Sequence, residues 1–178
     1  MLAIEHPHDV DSQRVDDGSS PLHQASLRGH FNIARMLVEH GADVSAPKKD
    51  GSTALHIALD YGHVDLGRML IESGADVSAQ DKDGWTALHL ASLNGYVDLG
   101  RMLIERGADV SAQNRDGSTA LHIALENGHV NFGRMIIRRG ADVSAHDEHG
   151  STALHWASRN GHVDLGRMLI ESGADVSA

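Results

Sequence analysis

The sequence contains no cysteine. That excludes a disulfide framework, a thiolate metal site and a cysteine nucleophile. Aromatic residues supply only 3% of its 178 positions. An interior must therefore be built from Leu, Ile, Val, Met and Ala, which suits slim helices in close contact. Cations are scarce, with 15 Lys and Arg against 25 Asp and Glu and a formal net charge of −10. Nucleic acid and anionic membranes are poor partners for such a chain. No apolar run approaches the roughly 18 residues that span a bilayer. The first 16 residues, MLAIEHPHDVDSQRVD, lack the basic and apolar regions of a signal peptide. The expectation is a soluble protein of the cytoplasm, with the nucleus also open to it. Nor is there a G-x-S-x-G elbow, a phosphate-cradling glycine loop or an H-E-x-x-H pair.

What the chain does have is repetition. Asp83 to Arg115 reads DGWTALHLASLNGYVDLGRMLIERGADVSAQNR, and Asp50 to Lys82 matches it at 24 of 33 positions. Asp116 to Glu148 is a further copy, His149 to Ala178 a shorter one, and Asp17 to Lys49 a more divergent one. The blocks are 17–49, 50–82, 83–115, 116–148 and 149–178, behind a non-repeating tail at 1–16. A fixed period of this length marks a stacked array, in which each block contacts its neighbours, rather than one central core.

Within a block, the pattern reads as two short helices and a turn. In the second block Thr53 is placed to cap the first helix with its hydroxyl. Leu55, Ala58 and Leu59 form one apolar stripe, and Gly62 ends the helix. The second helix runs from Val64, with Leu66, Met69 and Leu70 as its buried stripe, Asp65 at the positive end of its dipole and Gly74 closing it. Four blocks carry a glycine inside this helix: Gly67, Gly100, Gly133 and Gly166. Each costs roughly 1 kcal/mol against alanine. Close backbone approach between stacked helices is one reason to keep them; a deliberately softened array is the other.

The run Thr-Ala-Leu-His at Thr53, Thr86, Thr119 and Thr152, with Ser20-Pro21-Leu22-His23 in the first block and Gly-Ala-Asp-Val at Gly41, Gly74, Gly107, Gly140 and Gly173, resembles the ankyrin repeat family. Four blocks depart from the family's T-P-L-H by carrying alanine for proline. The resemblance implies an all-α solenoid of five stacked helix-turn-helix repeats with β-hairpin fingers. It also implies protein binding on a concave surface lined by the fingers and first helices.

Histidine is the tempting chemistry. His23, His56, His89, His122 and His155 form one repeated row, and His30, His63, His129 and His162 a second, with Tyr96 standing in once. Repetition one block apart makes ladders, not a converging metal cluster. A neutral imidazole both donates and accepts, which suits bridging backbone groups; the resemblance implies that role for the first row. His146 and His149 flank Asp147 and Glu148, as solvated turn residues or a weak metal site. No catalytic residue, metal site or cofactor is expected, because an active site should break the pattern once.

The copies disagree at two places. On the finger these are Lys49, Lys82, Arg115 and Glu148, then Asp50, Asp83, Asp116 and His149, then Trp85 among serines. At the end of the first helix they are Asp60-Tyr61, Leu93-Asn94, Glu126-Asn127 and Arg159-Asn160. The expected partner-binding set is Lys49, Asp50, Asp60, Tyr61, Lys82, Asp83, Trp85, Leu93, Asn94, Arg115, Asp116, Glu126 and Asn127, with Trp85 first because tryptophan is over-represented in binding hot spots. Trp85 could instead pack on the adjacent finger, and the alternating finger charges read either as a solvated rim or as a strip for an acidic peptide. Trp156 reads as core or end-cap. The first block is partly polarised by Gln24, while the last keeps the internal pattern at Leu165, Met168 and Leu169. That favours an array continuing past Ala178, as the targeting or regulatory part of a larger enzyme or receptor. A monomer is expected, with self-association through the last block, as a structural array, the other possibility.

Overall fold

Every block starts its first helix with the same reciprocal bond. Thr86 Oγ1 lies 2.8 Å from His89 Nδ1, and the Thr86 N–H donates to the same nitrogen at 3.0 Å. The His89 N–H in turn reaches Thr86 Oγ1 at 3.4 Å. Ser20 with His23, Thr53 with His56, Thr119 with His122 and Thr152 with His155 repeat the arrangement. It is a capping box in which histidine takes the usual place of glutamate or glutamine.

A computed structural model describes residues 10–14 and 16–177. The expected loose tail falls mostly on residues 1–9, outside those described. Val10 is buried and Asp11 Oδ1 accepts from the Asp43 N–H at 3.0 Å, so the end of the tail rests on the first block. The chain divides into two units, Met1–Lys82 and Asp83–Ala178, and the division coincides with a block boundary. The first unit holds α1 (Pro21–Arg28), α2 (Phe31–Glu39), α3 (Ala54–Asp60) and α4 (Val64–Glu72). In it α1 packs on α2 and α3, and α4 on α3 and α2. The second holds α5 (Ala87–Leu93), α6 (Val97–Glu105), α7 (Ala120–Glu126), α8 (Val130–Arg138), α9 (Ala153–Arg159) and α10 (Val163–Glu171). There the first helices α5, α7 and α9 stack in order, as do the second helices α6, α8 and α10.

The core is aliphatic. Leu22, Leu55, Leu59, Leu66, Leu70 and Ile71 are fully buried in the first unit, and Leu88, Leu99, Leu103, Leu121, Leu125 and Phe132 in the second. Full burial of such side chains contributes about 1.5–3 kcal/mol each. Met69, expected in the stripe, is only half-buried, and Ile71 takes the inner place. The first block is less polar outside than Gln24 suggests, since Phe31, Ile33 and Met36 are all exposed. In the last block Ile170 and Val176 are exposed, whereas Val77 and Val143 are buried.

The fingers carry little ladder. Among the described residues there is no strand, only an isolated antiparallel bridge between Gln113 and Thr119. Each finger is a tight turn whose glycine has a positive φ, as at Gly84 (φ 79°) and Gly117 (φ 71°), and it is closed by single backbone bonds such as Lys48 N to Ser52 O at 2.9 Å and Asn114 N to Ser118 O at 3.0 Å.

Two histidines of the second row, His63 and His129, pack against glycine. A Cβ on Gly95, which ends α5 at φ 71°, would stand 2.6 Å from the His129 ring. The freed space lets His129 Nε2 come within 2.9 Å of Leu93 O, one of the carbonyls the end of α5 leaves without a helical partner.

The mid-helix glycines have unequal reasons. A Cβ on Gly100 would lie 2.6 Å from the Phe132 ring. The approach there is by a side chain, not by backbone. On Gly166 a Cβ would meet nothing closer than Leu154 Cδ1 at 3.9 Å, an ordinary contact. Gly166→Ala should therefore raise stability by about 1 kcal/mol, and Gly100→Ala should lower it. Urea denaturation of the two variants beside the native chain measures both; midpoints moving in the same direction would contradict the assignment.

Candidate functional site

The finger tips are tied by backbone. Lys82 N donates to Asp50 O at 2.7 Å in the first unit; Arg115 N donates to Asp83 O at 2.9 Å and Glu148 N to Asp116 O at 2.7 Å in the second. Any residue can make these bonds, so the side chains at the same positions are free to differ. Deeper in the block the tie comes from an invariant side chain. His89 Nε2 reaches Ala112 O at 3.1 Å and Ser118 O at 3.2 Å, and His122 Nε2 reaches Ala145 O at 3.1 Å. His89 thus joins its own finger to Ser118 of the following block, while the His122 bond to Ala145 stays within its own block.

In the first unit Lys49, Asp60, Tyr61 and Lys82 are exposed and Asp50 is half-buried; Tyr61 is 58% exposed. In the second, Asp83, Arg115, Asp116, Glu126 and Asn127 are exposed, and Trp85, Leu93 and Asn94 half-buried. Several also serve the fold. Lys49 Nζ donates to Asp16 O at 3.0 Å. Asn94 and Asn127 donate from Nδ2 to Leu90 O and Ile123 O, four residues back at the ends of their own helices. The Trp85 ring lies tilted against His89, centroids 5.8 Å apart, which holds the indole over its own block. Trp156 is half-buried rather than core. Its Nε1–H donates to Asp147 Oδ2 at 3.2 Å, at the end of the preceding block, and Arg159 stands over its ring.

Burial acts on two kinds of group. Partial burial pushes Asp50 up, but bonds from Lys48 Nζ and the Ser52 N–H outweigh it and hold the carboxyl at about 2. Asp147 is likewise held below the carboxylate range, burial being outweighed by the Ser151 N–H and Trp156. For His23 and His122 burial wins and lowers the pKa. The bonding explains why protonation is resisted: Nδ1 already accepts from a backbone N–H, so a proton there would face a donor. Among the described residues no group of three or more His, Asp or Glu is gathered to hold a metal. Among them also, no helix is long and apolar enough to cross a membrane.

Open grooves run between second helices in both units. In the first unit one of about 740 Å³ lies along α2 and α4, lined among others by Arg35, Arg68, Asp65 and Glu72. In the second, one of about 500 Å³ lies along α6 and α8, lined by Arg101, Arg134, Arg138 and Arg139 with Val97, Asn131 and Met135. These arginines are absent from the expected site. Their signal was nonetheless in the sequence: α8 reads VNFGRMIIR where α4, α6 and α10 all read VDLGRMLIE.

A family model described as ankyrin repeats matches the chain in three copies, over residues 1–81, 47–114 and 108–178. The potassium channel AKT3 of Oryza sativa subsp. japonica is 44% identical over 43 residues, which is 24% of this chain and 5% of the channel. The matched stretch is thus a small fraction of that curated relative.

The buried imidazoles give a pH dependence. The folded pKa of His122 lies below the unfolded value of about 6.5, so its contribution to stability is complete above that pH and is lost as the pH falls below it, where the unfolded chain takes up protons first. The urea midpoint should drop from about pH 7 to pH 5, and less steeply in His122→Gln, which keeps a capping box. Superimposable pH profiles for the two proteins would refute this.

Proposed function

The chain belongs to the ankyrin repeat family, and from that premise we propose that it is a non-catalytic scaffold that binds a protein partner through its finger tips and first-helix ends. Ankyrin repeats are generally protein–protein interaction modules. The partner-binding residues in this reading are Lys49, Asp50, Asp60, Tyr61 and Lys82 of the first unit, and Asp83, Trp85, Leu93, Asn94, Arg115, Asp116, Glu126 and Asn127 of the second. The observation that carries it is a division of labour. Most of the groups that tie one finger or block to the next are backbone atoms or buried, repeated side chains, while most of the residues that vary between copies lie at the surface; Asn160, which bonds Leu125 O across a block boundary, is an exception.

Trp85 is the anchor. It offers a large, half-exposed indole held by His89, and a rigid aromatic loses little side-chain entropy on binding. Tyr61 in the first unit and Leu93 in the second add apolar area, and the exposed finger charges set which partners are tolerated. A second reading treats these repeats as the recognition part of a larger protein. It is favoured by the match to a protein of which the aligned stretch is only 5%.

The test is a comparative pull-down with quantitative mass spectrometry, using the native chain and Trp85→Ala. A hot-spot loss of at least about 2 kcal/mol, roughly thirtyfold in affinity, should deplete the specific partners from the variant. Equal recovery of the same proteins by both would remove this surface from consideration.

A further inference from the structure

The α6/α8 groove is where the repeat breaks its own pattern in charge. At the second position of the second helix three blocks carry Asp65, Asp98 and Asp164, and this block carries Asn131. At the last position the other four carry Glu39, Glu72, Glu105 and Glu171, and this block carries Arg138. The result is four guanidiniums along one groove of a chain whose net charge is −10. One carboxylate answers them: Glu105 Oε1, 3.3 Å from Arg139 Nη2. No ion pair forms to Arg101, Arg134 or Arg138 among the described residues, and Arg134 Nε is buried without an acceptor. Asp98 stands exposed on α6, outside the groove lining.

We infer that this groove docks a carboxylate-rich segment of a protein partner, at a surface separate from the fingers and first helices. Charge complementarity selects the occupant. Like-charged guanidiniums held together repel each other until an anion enters, and guanidinium binds carboxylate through paired, charge-assisted hydrogen bonds. Arrangement selects a segment over a single phosphate. Arg134 and Arg138 are one helical turn apart, about 6 Å along α8, and Arg101 projects from the neighbouring helix. Arg139 follows at the end of the helix, so the cationic positions are spread over more than one turn of α8. Val97 and Met135 supply an apolar strip beside them for the segment's aliphatic carbons. The matching groove of the first unit has the carboxylates Asp65 and Glu72 in its wall beside Arg35 and Arg68, and Arg35 stands 3.9 Å from Glu39, so its lining is mixed in charge.

The experiment is fluorescence anisotropy of a labelled decapeptide of mixed Glu and Asp, titrated with the full chain. Binding should be saturable and should weaken as salt rises from about 20 mM to about 200 mM. The double variant Asn131→Asp/Arg138→Glu restores the residues that three sister helices carry, so it keeps the fold, as an unchanged circular dichroism melt would verify. It should bind the peptide at least about tenfold more weakly. Arg101→Gln, on the facing helix, should weaken binding as well. Equal affinity of the native chain and the double variant would overturn the inference. So would equal binding of a Gln/Asn peptide, or capture of a phosphoserine peptide by a chain that ignores the acidic one.

Discussion

The array depends on a histidine that is buried in the first four blocks and exposed in the last. In each block the histidine three residues after the cap accepts the cap's backbone N–H at Nδ1. At His89 the opposite nitrogen reaches Ser118 O of the following block as well as Ala112 O of its own, and at His122 it reaches Ala145 O of its own block. At His89 one side chain therefore starts a helix and ties the next block to it. Glutamate could serve the cap, but as an acceptor only it could not give a proton to the carbonyl. Lysine could give the proton and not accept the N–H. The single tautomer that satisfies both ends leaves no room for the second proton, and burial opposes the charge as well.

That arrangement releases other positions from structural duty. The fingers are joined through Asp50 O, Asp83 O and Asp116 O, all backbone atoms. Their side chains can change sign between blocks, from Arg115 to Glu148, without loosening the stack. The freedom is partial at the first-helix ends, where Asn94 and Asn127 bond carbonyls of their own helices. Tyr61 occupies the same position with no amide to bond, and is 58% exposed.

Much of this was legible in the sequence because five copies average out local ambiguity. Thr53 as a cap, Gly62 as a stop, and the two helices of each block follow from short-range chemistry that the repeat states several times. The cause of the mid-helix glycines was not legible, since Gly100 is required by Phe132, 32 residues later, and nothing local announces that contact. The fingers show only a fragment of the expected hairpin pairing: their turns bond once to the previous finger, and one antiparallel bridge, Gln113 with Thr119, forms among the described residues. The candidate site was legible only as a set of mismatches. The arginines of α8 were mismatches too, but on the second helix, where family resemblance did not direct attention.

Helix electrostatics argues that the change in α8 concerns charge presented outward more than helix stability. An acid in the first turn and a base in the last both favour the dipole, each by about 0.3–1 kcal/mol when exposed. Asn131 forfeits the first gain, and Arg138 collects the second. The two nearly cancel within the helix. Relative to α4, α6 and α10, the exchange of Asp for Asn and Glu for Arg shifts the formal charge by three units in the positive direction. Had stability alone shaped this position, arginine would suit the last turn of every second helix, yet Glu39, Glu72, Glu105 and Glu171 stand there against the dipole. A single block that reverses the sign, beside Arg101 on the neighbouring helix, changes what the surface attracts while leaving the stack almost indifferent.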